Sequence, residues 1–419
     1  MSKKPRDNRP YIPPVTKLEI SETNLKLRWI LLAVAVAIAV ASIGMGVHYA
    51  LTKEPGWQQV ASAATELNCG DDFVFHYECG SSGVSATAEY KAVTALYSRL
   101  TQDAYAIFTA ETPSESHNVH YLNQHVNETV TVDPALYRAL EQMDAYGCRD
   151  PFLAPVVREY NGVFLAENDG EAVLYDPTKE EERREFVEQI LPFVNDPDMV
   201  SVELLGDNQV RLQVGDDYLA FAGENGIEVF FDFGWMKNAF IVDYLAENLI
   251  EAGYTNGYLA SFDGYTRNMD VRGTEYTANI FDRMENTISM PAQLTYSAPI
   301  SLVSLRNYPL SEEDRWHYYA YGDGTVTSIY LGQKTGMPVS STDNLFSYSK
   351  TMGCAELLMH TRLAYLTEQF DENNVLDLVQ KGIYSIWGEK NILMYTPSDA
   401  VISLLPESGG EDYKLMPIQ

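Results

Sequence analysis

Lys237 and Asn238 stand in the stretch DFGWMKNAFIVDYLAENLIEAG, residues 232–253. The stretch opens like a strand end and turns at Gly234. Phe240, Ile241, Leu245 and Leu249 then recur at helical spacing, with Gly253 after the last turn. A Lys-Asn pair at a helix start suits an anion, because the first backbone N–H groups point outward there and carry partial positive charge. The bland alternative is a solvated turn. Glu356 and His360 lie four residues apart, so a helix would put them on one face, where a carboxylate and an imidazole could share a divalent ion. An ordinary surface pair has the same spacing. His117, His120 and His125 crowd one loop, but their spacing fits neither an i, i+4 pair nor a zinc finger. Asp150, in GCRDPF, reads equally as a turn cap before Pro151 or as a site carboxylate.

The chain that must position these residues has 419 of them, 46 % hydrophobic, enough for one large or two medium domains. Its 28 tyrosines favour strands. A net charge of −30 excludes a nucleic-acid partner, which needs a basic face. Four cysteines do not make a disulfide framework; Cys69 and Cys79 could bridge a short loop outside the cytosol or stay as free thiols. Residues 29–51 carry no formal charge and are long enough to span a bilayer core of about 30 Å. The seven basic and three acidic residues before them give the tail +4 and leave the rest of the chain at −34. The positive-inside rule then places residues 1–28 in the cytosol and the remainder outside, behind an uncleaved anchor at the cell membrane.

Beyond a linker at 52–67, the pattern predicts a strand at 73–80 and helices at 86–108 and 133–147, the latter with Asp133 as N-cap and Pro134 in the first turn. Thr178 and Glu181 predict a capping box for a helix to about Leu191. Four short strands are expected between Val200 and Asp232. Next come the helix after Asn238, a GYLASF strand and a hairpin at 316–331 with a type I′ turn at Asp323-Gly324. A strand at 345–348, a helix at 354–368 and a hairpin at 383–396 complete the reading. This mixture is α+β with largely antiparallel sheets. No dinucleotide fingerprint, P-loop, nucleophile elbow or zinc-protease motif is present.

The order of pieces over residues 68–400 resembles the FAD:protein FMN transferase, or ApbE, family, whose fold is T-fold-like. Ser114, Glu115, Leu122 and Asn123 sit at the family's S-E…L-N segment, and Gly147, Asp150 and Pro151 at its G-x-x-D-P run. Asp232, Gly234, Val242 and Asp243 match its D-L-G-G-I-A-K-G-Y-A-V-D segment. EAGYTNGYLASFDG sits at the A-G-V…A-G-G-D strand and glycine turn, ISLVSLRNY at T-S-G-D-Y, IYLGQKTGMP at H-I-I-D-P-R-T-G-Y-P, and CAELLMHT at the A-D-A-L-A-T helix. The departures fall on the chemistry. Asn238 replaces the motif lysine, with Lys237 beside it; Phe262-Asp263 replaces the glycine pair before Gly264. Ile329 and Gly332 replace a histidine and an aspartate, and Glu356 and His360 replace the metal-binding Asp and Thr.

The resemblance implies an enzyme that, with Mg²⁺ or another divalent cation, cleaves FAD and moves FMN onto a threonine of an acceptor protein, releasing AMP. It assigns cofactor binding to Asp150, Lys237, Asn238, Asp243, Asp263, Gly264, Thr335 and Gly336, and metal binding to Glu356 and His360. The altered residues point to weak or lost transfer. The alternative is a non-catalytic flavin-binding or interaction protein on the same fold. Residues 401–419 are expected to be a tail.

Overall fold

A computed structural model describes residues 53–418 except 82, 286, 298, 312, 313 and 315, and seven positions between 33 and 42. The anchor expected at 29–51 and the tail before it lie essentially outside the described residues. Among the described residues no helix is long and apolar enough to cross a membrane. Glu54–Gln419 forms one compact unit, separate from Met1–Lys53.

In chain order the strands are β1 (Gly56–Val60), β2 (Phe73–Cys79), β3 (Val130–Thr131), β4 (Val200–Gly206), β5 (Gln209–Val214), β6 (Gly257–Ser261), β7 (Tyr265–Asn268), β8 (Tyr276–Met284) and β9 (Thr287–Tyr296). They continue as β10 (Ser301–Arg306), β11 (Tyr318–Ala320), β12 (Val326–Ser328), β13 (Asn344–Ser349), β14 (Ile383–Glu389), β15 (Ile392–Tyr395), β16 (Val401–Leu404) and β17 (Lys414–Pro417). The main helices are α1 (Ala86–Phe108), α2 (Val119–Gln124), α3 (Pro134–Ala145), α4 (Glu181–Val194), α5 (Asp216–Asn225), α6 (Lys237–Glu251), α7 (Cys354–Tyr365) and α8 (Glu372–Val379).

Nine strands form one sheet in the order β1-β2-β6-β7-β10-β13-β14-β15-β17. Every pair in it is antiparallel except β15 with β17. Alternation along the strands sorts side chains between its two faces. Phe75, Tyr77, Leu259, Val303, Leu305 and Leu345 join the core that α1, α6 and α7 cover. Leu302, Phe346 and Ile386 join a second core with Ile280, Ala292 and Leu294 of the small sheet β16-β9-β8. The α+β class and the antiparallel sheets are as the sequence predicts.

The differences have local causes. Residues 56–60, read as linker, are an edge strand paired with β2, and residues 401–404 and 414–417, read as tail, close two sheets. Of the four strands expected after Val200, two form. The rest of the stretch is α5, with Tyr218 and Ala222 buried and Gly226 at φ +67° stopping it. The Thr178 capping box does not form: its hydroxyl donates to Asp176 at 2.7 Å, and α4 starts from Glu180. At Asp323-Gly324 only the glycine has positive φ, and Gly324 N–H donates to Tyr321 C=O at 2.9 Å, so the loop is not type I′. All four cysteines are buried and unbridged. The three histidines do not share a loop: His120 lies in α2, and His117 and His125, at its two ends, lie against Tyr121 at 4.1 and 3.8 Å between ring centroids.

Candidate functional site

The strand-helix joint is built from a tight turn. Gly234 takes φ +55°, and Asp232 Oδ1 accepts its N–H at 3.1 Å. A single 3₁₀ turn, Gly234–Met236, then feeds α6, whose start has no side-chain cap. Its first residue, Lys237, lies in the field of two acidic residues. Burial pushes the carboxyls of Asp72 and Asp232 up, and the Lys237 ammonium pulls both back down. Asn238 Nδ2 donates to Asp263 Oδ2 at 3.0 Å across the corner. Asp263 is buried, and burial raises its pKa against the opposing charge of His317. Asn238 Oδ1 and Asp263 Oδ1 are both buried without a hydrogen-bond partner, a costly state for two acceptors.

The glycine turn is held rigidly. Gly264 takes φ +106°, and a Cβ there would stand 2.4 Å from Ser304 C=O, so only glycine fits. Ser304 N–H donates to Gly264 C=O at 2.9 Å. Gly264→Ala is expected to destabilise the fold by roughly 1–3 kcal/mol from backbone strain alone, read as a lower midpoint in denaturant with unchanged slope. Phe262 does not fill the corner as its size suggests: its ring is 53 % exposed and its N–H already donates to Asp72 C=O at 3.2 Å.

The remaining candidates make contacts that hold the fold together. Asp150 Oδ2 accepts from Arg362 Nη1 at 2.7 Å and from Cys148 Sγ at 3.4 Å, with both charged side chains buried. Asp243 caps α7 from the side: Oδ1 accepts Cys354 N–H and Oδ2 accepts Ala355 N–H, each at 2.8 Å. Asp150 and Asp243 therefore both fix one helix. Thr335 and Gly336 make a closed turn, with both N–H groups donating to Gly332 C=O and a Cβ on Gly336 only 2.6 Å from Val187 of α4.

Burial raises Asp243 to about 6, against Arg267 and the two N–H groups. A carboxyl whose folded pKa exceeds its unfolded value stabilises the fold while protonated and loses that contribution as pH rises through the folded value. Stability is expected to fall by up to about 3 kcal/mol from this group between about pH 4 and 6. The check is the slope of denaturation midpoint against pH, which Asp243→Asn should flatten.

Glu356 and His360 do sit one turn apart on α7. Glu356 Oε1 accepts from Tyr146 Oη at 2.7 Å, and that ring packs edge-on to His360 at 4.8 Å between centroids. His360 Nδ1 lies 3.3 Å from Lys381 Nζ, and burial plus that ammonium lower its pKa. A divalent ion beside His360 would meet Lys381, and among the described residues no three His, Cys, Asp or Glu side chains gather as ligands. An oxygen-seeking ion also needs more carboxylate and carbonyl donors than Glu356 supplies. This donor set does not fit Mg²⁺. Adding Mg²⁺ is expected to leave the melting temperature unchanged, whereas a bound ion would raise it.

The family resemblance groups Lys237, Asn238, Asp263 and Gly264, but it gives no sign of Asp72, Tyr146, His317 or Lys381. Lys381 comes 21 residues after His360, between a helix and a strand, with nothing local to mark it.

No family model and no curated protein matches the chain by sequence. Solved structures do match by fold. The ApbE protein of Thermotoga maritima is 15 % identical with a TM-score of 0.53, covering 79 % of this chain and 94 % of that one. The flavin transferase ApbE from Vibrio cholerae is 12 % identical with a TM-score of 0.53, covering 85 % and 98 %. The chain has an ApbE-like fold, divergent in sequence from both.

Proposed function

We propose that this chain is a membrane-anchored, extracytoplasmic ApbE-like protein that holds a flavin nucleotide at the Asn238–Asp263 corner and transfers FMN weakly or not at all. The observation that carries the reading is the pair of buried acceptors without partners, Asn238 Oδ1 and Asp263 Oδ1. FAD offers N–H donors on both its ring systems, and a donor placed there would remove the penalty of two orphaned acceptors. The fold shared with ApbE flavin transferases supports the ligand class. The anchor rests on the uncharged run at 29–51 and the basic tail before it.

In this reading Asn238 and Asp263 orient the ligand, and Gly264 keeps the turn close to Ser304. Asp72 and Asp232 make the surroundings of Lys237 unwelcoming to a bare pyrophosphate. No step is assigned to a metal.

The test is titration of FAD into the full chain, followed by flavin fluorescence, with and without Mg²⁺. Saturable binding of the same affinity in both conditions is expected, weakened about tenfold or more in Asp263→Ala, the loss of one hydrogen bond to a charged group. Absence of binding under both conditions would rule out the flavin assignment and leave an interaction protein on this fold. For the anchor, protease added to right-side-out spheroplasts should digest the chain beyond residue 60; full protection refutes the topology.

A further inference from the structure

The face of the nine-stranded sheet opposite α1 and α6 is only half covered. Over β13 and β14 the small sheet β16-β9-β8 packs on it. Beside that contact lies a cleft of about 780 Å³, floored by β2, β6, β7 and β10 and walled by β8. Three large apolar side chains at its margin are exposed: Trp57 by 42 %, Phe262 by 53 % and Leu310 by 38 %. Grouping of this kind in a soluble unit marks an interaction site. Tyr258 and Tyr276 continue the aromatic wall, each packing edge-on or tilted against Trp57.

The manner in which β8 borders the cleft is the informative feature. A strand that meets a cavity face-on lines it with alternate residues. Here Tyr276, Thr277, Ala278 and Asn279 of β8 line it consecutively, after Thr274 and Glu275 of the loop before it. Among the described residues β8 pairs only with β9. It therefore presents its unpaired backbone edge to the cleft, over the regular stretch before the register shift between Ile280 and Asp282. Phe281 C=O, at that shift, already accepts from Asn344 Nδ2.

We propose that the cleft binds an extended segment of a partner protein, which pairs with the edge of β8 and sets alternate side chains into the aromatic pockets around Trp57, Tyr258, Phe262 and Tyr276. An unpaired strand edge offers donors and acceptors at the repeat of a polypeptide, and strand addition supplies affinity through the main chain and selectivity through alternate pockets. The charges select the segment. Among the described residues Arg306 is the one Lys or Arg lining the cleft, and it is paired with buried Asp314 at 3.1 Å. His76 is stacked on Tyr258, with a pKa lowered by burial, and Glu275 is exposed on the rim. With −30 on the whole chain, the segment that fits is cationic, with apolar side chains at every second position. Phe262 and Gly264 line the cleft and belong to the flavin corner, so a segment bound here would end beside that corner. The proposal does not depend on flavin binding.

The test uses the full chain and a library of blocked decapeptides with lysine at alternate positions and valine, leucine or tyrosine between. Backbone hydrogen exchange is followed at residues 276–280. Binders should slow exchange there, and N-methylation of the peptide amides that face β8 should weaken binding about tenfold or more, whereas methylating the opposite set should not. Slowed exchange that is indifferent to which set is methylated overturns strand addition. Failure of every member to protect β8 overturns the proposal. Protection already present without peptide, in a particle with the mass of two copies, overturns it in favour of self-pairing.

Discussion

Asp150→Ala is expected to cost about 3–5 kcal/mol of folding stability, because it strands the Arg362 guanidinium in the core without its counter-charge. The two side chains are each 3 % exposed and meet at 2.7 Å. Asp150 Oδ1 and Arg362 Nε have no further hydrogen-bond partner, so the pair is incompletely compensated even in the intact fold. That gives the prediction a second part. Replacing both together, as Asp150→Leu with Arg362→Met, is expected to recover most of the loss, since the desolvation of two charges is removed at once. Denaturant midpoints for the two single variants and the double variant form a cycle that isolates the pair. If Asp150→Ala unfolds at the midpoint of the unaltered chain, the ion pair does not hold α7. A loss of flavin affinity without a loss of stability would return Asp150 to the cofactor site implied by sequence.

Asp150 shows what a linear pattern can and cannot reveal. Its position in G-x-x-D-P marks a turn, and the structure has a 3₁₀ turn there. Its partner is 212 positions away on another helix, and nothing near either residue announces the pairing. Asp243 is similar: its place on α6 is clear from helical spacing, while its task, capping α7, depends on how two helices cross. Elements with punctuation at both ends were legible. The helix at 86–108 matches α1, with Ser85 accepting Ala88 N–H at its start, and Asp133 accepts Ala135 N–H before α3. The stretch after Val214 was not, because DDYLAFAGEN mixes aromatic and apolar residues at a spacing that serves either a strand or α5, and burial of Tyr218 decides it. At the candidate site, the family resemblance grouped Asn238, Asp263 and Gly264, and the structure puts Asn238 within hydrogen-bond reach of Asp263. The resemblance could not show that Lys237 is balanced by Asp72 and Asp232, or that a lysine stands against His360.

The surroundings of Lys237 and His360 set the expectation for catalysis. Incubated with FAD, Mg²⁺ and an acceptor protein carrying a suitable threonine, the full chain is expected to release AMP at no more than background rate. Phosphoryl transfer depends on positioning and on neutralising charge that builds on the phosphate oxygens, work that a divalent ion and cationic side chains ordinarily share. Here the ammonium nearest the corner lies in the field of two acidic residues, Asp72 and Asp232, whose pKa values it lowers against the rise from burial. A third carboxyl group, Asp263, accepts from the Asn238 amide at 3.0 Å. The helix position implied for a metal ion holds Glu356 bound to Tyr146 and His360 set against Lys381. Each missing charge-assisted contact is worth roughly 1.5–3 kcal/mol, and absence of the ion removes several more, so a deficit of several orders of magnitude in rate follows. In-gel flavin fluorescence on the acceptor is the direct readout. Fluorescence that appears with Mg²⁺, disappears in a Thr→Ala acceptor and is lost in Glu356→Ala would establish a metal-dependent transferase and overturn the fit argument made from Lys381. Bound flavin with no AMP and no labelled acceptor is the result that the orphaned acceptors of Asn238 and Asp263 lead one to expect, because those two oxygens can orient a ligand but supply no means of breaking its pyrophosphate.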